Sequence, residues 1–234
     1  MDNSLSSNLN EYKGQAEQDK FVLKVLKGKT NGYFLEIGSN DPININNTYV
    51  LEKEYNWKGI MVEYEKSFLP LYKKYRPNSI HLINDATKID YKYVLENNNI
   101  PLNIDYLQID LDANNGSTLK TLELLDQTIF DNYKFATITF EHDVYNNNVI
   151  SNNNNNIYCR LLSREIFKKR GYLCVFEDIH NELPEYVYED WYVHPDLVDM
   201  EYINKLILLN KDKYIFNKFT KKSINWQDII YPEF

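Results

Sequence analysis

Apolar positions along this chain fall into short runs that alternate with segments of helical spacing. Phe21, Val22, Val25 and Leu26 share one helical face, and Gly28 and Gly32 punctuate its end. Strand-like runs follow at 33–37, 59–63, 80–84, 104–111 and 135–140. Between them, 48–55, 68–75, 91–96 and 118–125 carry helical patterning. Further on, the pattern predicts a helix over 157–169 stopped by Gly171, strands over 172–178 and 191–193, and a helix over 200–209. Strand–helix alternation of this kind predicts an α/β fold: a mostly parallel, Rossmann-like seven-stranded sheet with helices on both faces. Open sheets of that type bind ligands outside the carboxyl ends of their strands, so chemistry is sought just after each strand.

The polar first residues predict a flexible segment over 1–17, followed by one domain over 18–234. The tail from 210 carries Phe216, Phe219, Trp226 and Tyr231, so it is expected to pack on that domain. The run NNNVISNNNNN at 146–156 predicts a mobile loop on the ligand side of the sheet.

Composition narrows the partners. The formal net charge of −8 argues against a nucleic-acid substrate, which is held chiefly by Lys and Arg. The clusters Lys168-Lys169-Arg170 and Lys221-Lys222 read as solvated surface. Cys159 and Cys174 have no zinc-like or redox-motif spacing, which fits a reducing compartment. The N-terminus lacks the pattern of a signal peptide, and no apolar run approaches the roughly 20 residues of a membrane span. A cytoplasmic protein with no membrane partner is therefore expected.

Five strand ends carry candidate chemistry. FLEIGSNDP, Phe34 to Pro42, runs a strand into a glycine turn whose amides suit a carboxylate. Glu36 is a carboxylate in an otherwise apolar strand, and its burial calls for a donor or a cationic ligand such as the ammonium of an amino-acid-like cofactor. Glu63 ends the second strand, where an acid accepts from ribose hydroxyls. Asp85 and Ala86 follow the third strand, suited to an exocyclic amine and a flat ring, although a lone Asp there is more often a helix cap. Asp110 and Asp112 close the fourth strand; Glu141, His142 and Asp143 close the fifth.

In NGYFLEIGSNDP, NNTYVLEKE, WKGIMVEYEK, IDYLQIDLD, TFEHDVY, SREIFKKRGY and EDWYVHPDLV, spanning about 18–199, the chain resembles the FkbM-type methyltransferases, a branch of the class I S-adenosylmethionine-dependent family. The resemblance implies that Gly38, Ser39, Asn40 and Asp41 hold the methionine end of S-adenosylmethionine, Glu63 the ribose, and Asp85 with Ala86 the adenine. Asp110 would face the reactive sulfonium. It further implies an O-methyltransferase acting on a hydroxyl of a small molecule, with a sugar or glycan favoured. Pro42 departs from the pattern and removes one N–H from the turn. Ala113-Asn114-Asn115-Gly116 departs on the substrate side.

For a hydroxyl acceptor, His142 is the first candidate base because its ordinary pKa lies near neutrality, with Asp110 and Asp112 next and Glu141 or Asp143 orienting the imidazole. Asp110, Asp112, Glu141, His142 and Asp143 also have the chemistry to gather a divalent cation, an option not favoured. Asp143, Trp191, Tyr192 and His194 are the candidate substrate contacts, the aromatics stacking on a sugar; the alternative is a core strand with an aromatic plug. Two rival readings stand beside methyl transfer. A nicotinamide-dependent oxidoreductase ordinarily needs G-x-G-x-x-G, of which only Gly38 is present. The other is a non-catalytic binding or assembly protein on the same fold.

Overall fold

The computed structural model describes residues 12–145, 155–218 and 221–233. The first eleven residues, most of the Asn-rich stretch expected to be a loop, and Phe219 lie outside the described residues.

Among the described residues, eight strands form one sheet: β1 (Tyr33–Ile37), β2 (Lys58–Glu63), β3 (Ile80–Ile83), β4 (Asn103–Ile109), β5 (Lys134–Glu141), β6 (Leu173–His180), β7 (Val187–Val193) and β8 (Ile224–Asn225). Their order is β3-β2-β1-β4-β5-β7-β6-β8. β7 runs antiparallel to both its neighbours, and the other pairings are parallel. This is an α/β, Rossmann-like arrangement, a mostly parallel sheet with helices on both faces. It has eight strands where the pattern predicted seven, because the two residues of β8 are too few to carry a periodicity. β7 also starts four residues before the expected position, since its charged Glu189 and Asp190 interrupt the apolar run.

Alternating strand residues feed two cores. Leu35, Ile37, Leu107 and Ile109 face one side, where Leu95 of α4 (Tyr91–Asn97), Leu122 and Leu125 of α5 (Ser117–Thr128) and Phe167 of α6 (Asn155–Lys169) cover them. Phe34, Met61 and Tyr106 face the other side. Phe21 of α1 (Gln18–Val25), Leu51 of α2 (Tyr49–Tyr55), Tyr72 of α3 (Leu69–Tyr75) and Ile203 of α7 (Met200–Asn210) cover that face.

Two boundaries differ from expectation. Residues 12–17 were expected to be flexible, yet Ala16 is fully buried and Asp19 holds the backbone N–H of Lys13 at 2.7 Å. Helix α6 begins at Asn155, and Asn156 donates to the Asp143 carbonyl at 2.7 Å. In the tail, Ile224 is buried and pairs with Ile179.

Candidate functional site

Strand order reverses between β1 and β4: the chain leaves β1 toward β2 on one side and later returns to β4 on the other. The ends of those strands open into a cleft of about 450 Å³, within the usual range for small-molecule sites. It is lined by the turn Gly38–Asp41, by Glu63, by Gln108 and Asp110–Asp112, and by Asn44, Ile45, Asn47 and Gln15. Gln15 comes from the segment expected to be loose, which here forms part of the rim.

The turn is fixed from both flanks. Gly38 and Ser39 donate to the Val62 carbonyl at 3.0 and 3.1 Å, and Asp110 donates to Ile37. Gly38 has φ +89°, and a Cβ there would stand 1.7 Å from the Asp110 carbonyl oxygen. The glycine is thus demanded by the neighbouring strand end as well as by any ligand. Glu63 accepts the N–H of Asn40, Tyr64 and Glu65, each at 2.8 Å. One of its oxygens therefore ties the β1 turn to the end of β2, and the carboxylate stays on the cleft wall. Asp41 accepts from Ile43 and Asn44 at 2.9 and 2.7 Å. Pro42 leaves the turn intact, and its carbonyl accepts from Arg76 at 3.4 Å.

Glu36 is not on the cleft wall. Its carboxylate is fully enclosed, accepting from Thr48 at 2.9 Å and Asn46 at 3.4 Å. The donors come from the chain itself, which removes the need for a cationic ligand at this residue. Arg76, also fully buried, donates to Glu52 (2.8 Å), Asn46 (2.8 Å) and Thr48 (2.6 Å). Burial raises the Glu36 pKa and Arg76 opposes that rise. This network braces the turn from below; Arg76 and Glu52 escaped the sequence reading because nothing in their spacing marks them as partners.

Asp85 and Ala86 stand at the same sheet edge, one strand beyond Glu63, but outside the cleft lining. Asp85 caps the following turn, accepting from Thr87 N–H (3.0 Å) and Oγ1 (2.7 Å) and pairing with Lys88 at 2.7 Å. Those bonds, that to Lys88 foremost, pull it down to about 2. Ala86 is buried in the core. The helix-cap reading describes Asp85 as the structure places it.

On the other flank carboxyl groups crowd. Gln108 Nε2 donates to Asp110 at 3.4 Å. Burial raises Glu141, and Asp110 raises it further through its charge and a hydrogen bond. Burial, then Asp110 and Asp112, push Asp143 up to about 7. Glu189 on β7, held by Gln18 at 2.8 Å, is pushed up to about 8, mainly by burial.

His142 is corrected as the candidate base. Its ring is fully buried: Nδ1 accepts from the Val144 N–H at 3.4 Å, and Nε2 lies 3.5 Å from Asp190 and 3.7 Å from Asp178. It is not among the residues that line the cleft. Arg164 grips Asp190 through two bonds of 2.7 Å and Asp178 at 2.9 Å, and Arg160 holds Asp178 at 3.0 Å. Among the described residues, His142, Asp178 and Asp190 are the group whose potential metal ligands lie within 4.8 Å of one another. Their charge is already met by two guanidinium groups, so they do not fit a divalent cation. The missed signal lies in β7 and α6: two adjacent acids, Glu189 and Asp190, inside the otherwise apolar YEDWY, and arginines four apart at 160 and 164.

The aromatic contacts also move. Trp191 is fully buried, 4.7 Å from the Phe21 ring and 5.8 Å from Phe176, which matches the aromatic-plug alternative. Tyr192 is buried and donates to Asp190 at 3.0 Å. His194 lies beside Ala136, near the start of β5 and thus at the opposite sheet edge, its ring against Tyr172. β7 runs antiparallel, so residues beyond Trp191 travel away from the cleft.

No known family profile matches the chain, and no curated protein does. Solved structures do resemble it. Fibrillarin in its complex with Nop5p aligns at 15% identity and a TM-score of 0.48, covering 77% of this chain and 80% of that one. A precorrin-6y C5,15-methyltransferase from Geobacter metallireducens GS-15 aligns at 14% identity and 0.42, covering 75% and 87%. A TehB-like SAM-dependent methyltransferase from Corynebacterium glutamicum aligns at 6% and 0.42, covering 76% and 87%. At such scores the likeness carries nothing about activity, and the fold assignment rests on strand order and direction. No helix among the described residues is long and apolar enough to cross a membrane.

Proposed function

We propose that the cleft binds S-adenosylmethionine and that the chain transfers its methyl group to a small-molecule acceptor. The observation that carries this reading is the meeting of the Gly38–Asp41 turn, Glu63 and Asp110 in one cleft at the point where strand order reverses. The donor set fits the cofactor. Glu63 offers a carboxylate to paired ribose hydroxyls. Asn47 Oδ1 and Gln108 Oε1 are buried acceptors with no protein partner, which suits an ammonium or hydroxyl donor. When bound, S-adenosylmethionine supplies a methyl group on a positively charged sulfur.

The residues of this chain then position and balance charge. The braced turn keeps the reacting groups aligned, an effect worth roughly 7–11 kcal/mol in favourable cases. Asp110 stands at the end of β4 beside the turn, where its carboxylate opposes positive charge. With His142 enclosed, proton removal falls to the carboxyl cluster Asp110, Glu141 and Asp143. The FkbM-type sequence resemblance supports an acceptor of metabolite size, and a sugar hydroxyl is the acceptor it favours.

Thermal denaturation with S-adenosylhomocysteine or NADH tests the assignment. Ligand at 100 times its Kd stabilises by about 2.7 kcal/mol. The account expects an upward shift with the adenosyl thioether and none with the dinucleotide. The reverse would favour the oxidoreductase, and no shift with either would favour a non-catalytic binding protein.

A further inference from the structure

The chain that precedes α1 forms one side of the cleft. Gln15 stands in the cleft lining and is exposed. On one flank of it, Gly14 lies so close to Asn47 that a Cβ there would stand 2.7 Å from Asn47 Oδ1. On the other flank, Ala16 is fully buried and Gln18 donates to Glu189 at 2.8 Å. Asn47 lies between β1 and α2, and Glu189 pairs with Glu141 at the end of β5. β4 separates β1 from β5 in the sheet. Residues 13–18 therefore run along the carboxyl edge from the β1 side to β7, with Gln15 between the two anchor points.

The segment has a structure of its own. The Lys13 N–H donates to Asp19 at 2.7 Å, the Glu17 N–H to the Gly14 carbonyl at 3.1 Å, and the Ala16 N–H to Gln18 Oε1 at 2.8 Å. Gln18 thus works at both ends of its amide: the oxygen closes the turn and the nitrogen fastens the turn to β7. One contact opposes closure. Asn47 lines the cleft, yet it is only 3% exposed and its Oδ1 has no partner. A buried acceptor without a donor costs free energy, and lifting Gly14 off it admits water or a ligand's donor. A segment fastened at Gln18 and destabilised at Asn47 opens at lower cost than the core.

Resting on the cofactor reading above, we infer that residues 13–18 are a strap over the S-adenosylmethionine cleft, latched to β7 by Gln18, and that Gln15 is a ligand-contacting residue. Raised, the strap uncovers Asn47 Oδ1, to which an ammonium or hydroxyl of the entering ligand donates. Lowered again, it retains that ligand, and Gln15 adds an amide that both donates and accepts. The strap governs ligand exchange, as gating loops do, and takes no part in the transfer itself.

Hydrogen exchange and S-adenosylhomocysteine binding kinetics on the full chain test the inference. In the free protein the Lys13 and Ala16 amides are expected to exchange by local opening, far faster than the strand amides of β1, and Gln18→Met should speed them further. Bound S-adenosylhomocysteine should slow them. Gln18→Met should raise the ligand's dissociation rate about tenfold, in line with one lost hydrogen bond to a carboxyl group. Gln15→Ala, at an exposed position, should weaken binding roughly three- to tenfold with the melting temperature of the free chain unchanged. Exchange at 13–18 indifferent to bound ligand, or parent-like binding kinetics in both variants, would overturn the strap. Absence of S-adenosylhomocysteine binding would strike the cofactor reading instead. The strap is then judged on the free chain alone, where protection of Lys13 and Ala16 equal to that of β1, or unchanged in Gln18→Met, would sink it.

Discussion

Glu189 shows how a single enclosed carboxyl writes itself into stability. Its pKa in the folded chain, about 8, lies above that of an exposed glutamate, mainly because burial disfavours the charge. Between about pH 4 and 8 the folded state therefore binds more protons than the unfolded state, and stability falls as pH rises through that window. Each such group contributes a slope of at most about 1.4 kcal/mol per pH unit. Glu189→Gln keeps an acceptor for Gln18 and removes the titration. Urea denaturation at about pH 6 and pH 8.5 should show a smaller loss in the variant than in the parent chain; equal losses would remove Glu189 as a source of the slope. At this scale the sequence was a partial guide. The positions of Gly38 in the turn and Glu63 at a strand end were legible, because a turn glycine and a strand-end acid are marked locally. His142 and Trp191 were not, because whether a side chain faces a cleft or the core depends on strands distant in sequence.

The segment from β1 through α2 is the element on which the cleft depends. Its buried polar core joins Glu36, Asn46, Thr48 and Glu52 to Arg76 from the end of α3. Arg76→Met should destabilise by about 3–5 kcal/mol, because it strands Glu52 as an uncompensated buried charge. Adding Glu52→Gln should recover part of the loss, and denaturant midpoints of the single and double variants measure both effects. Strictly additive losses would mean that the pair is not coupled. Most helices and strands were legible to within a few residues, since each buries one face and repeats at 3.6 or 2. The Glu52–Arg76 pairing was not, because two polar residues 24 apart acquire a relation only once α2 and α3 lie against one another. The start of β7 was hidden because the charged Glu189 and Asp190 break the apolar rhythm, and β8 because two residues are too few to show one.

Across the whole molecule, alternation of strands and helices was enough to predict one parallel-type sheet with function at its carboxyl edge. The structure sets Gly38, Glu63, Asp85 and Asp110 along that one edge, with the cleft over β1, β2 and β4. The two walls are joined by a hydrogen bond from the Asn40 N–H to Glu63, so a ligand held there reports on both strands at once. The most direct measurement is a calorimetric titration of S-adenosylhomocysteine into the parent chain and into Glu63→Gln. The account predicts saturable binding by the parent and at least tenfold weaker binding by the variant, about 1.4 kcal/mol, in line with the loss of charge-assisted hydrogen bonds to ribose. Absence of binding at millimolar ligand, or equal affinity in the two chains, would contradict it.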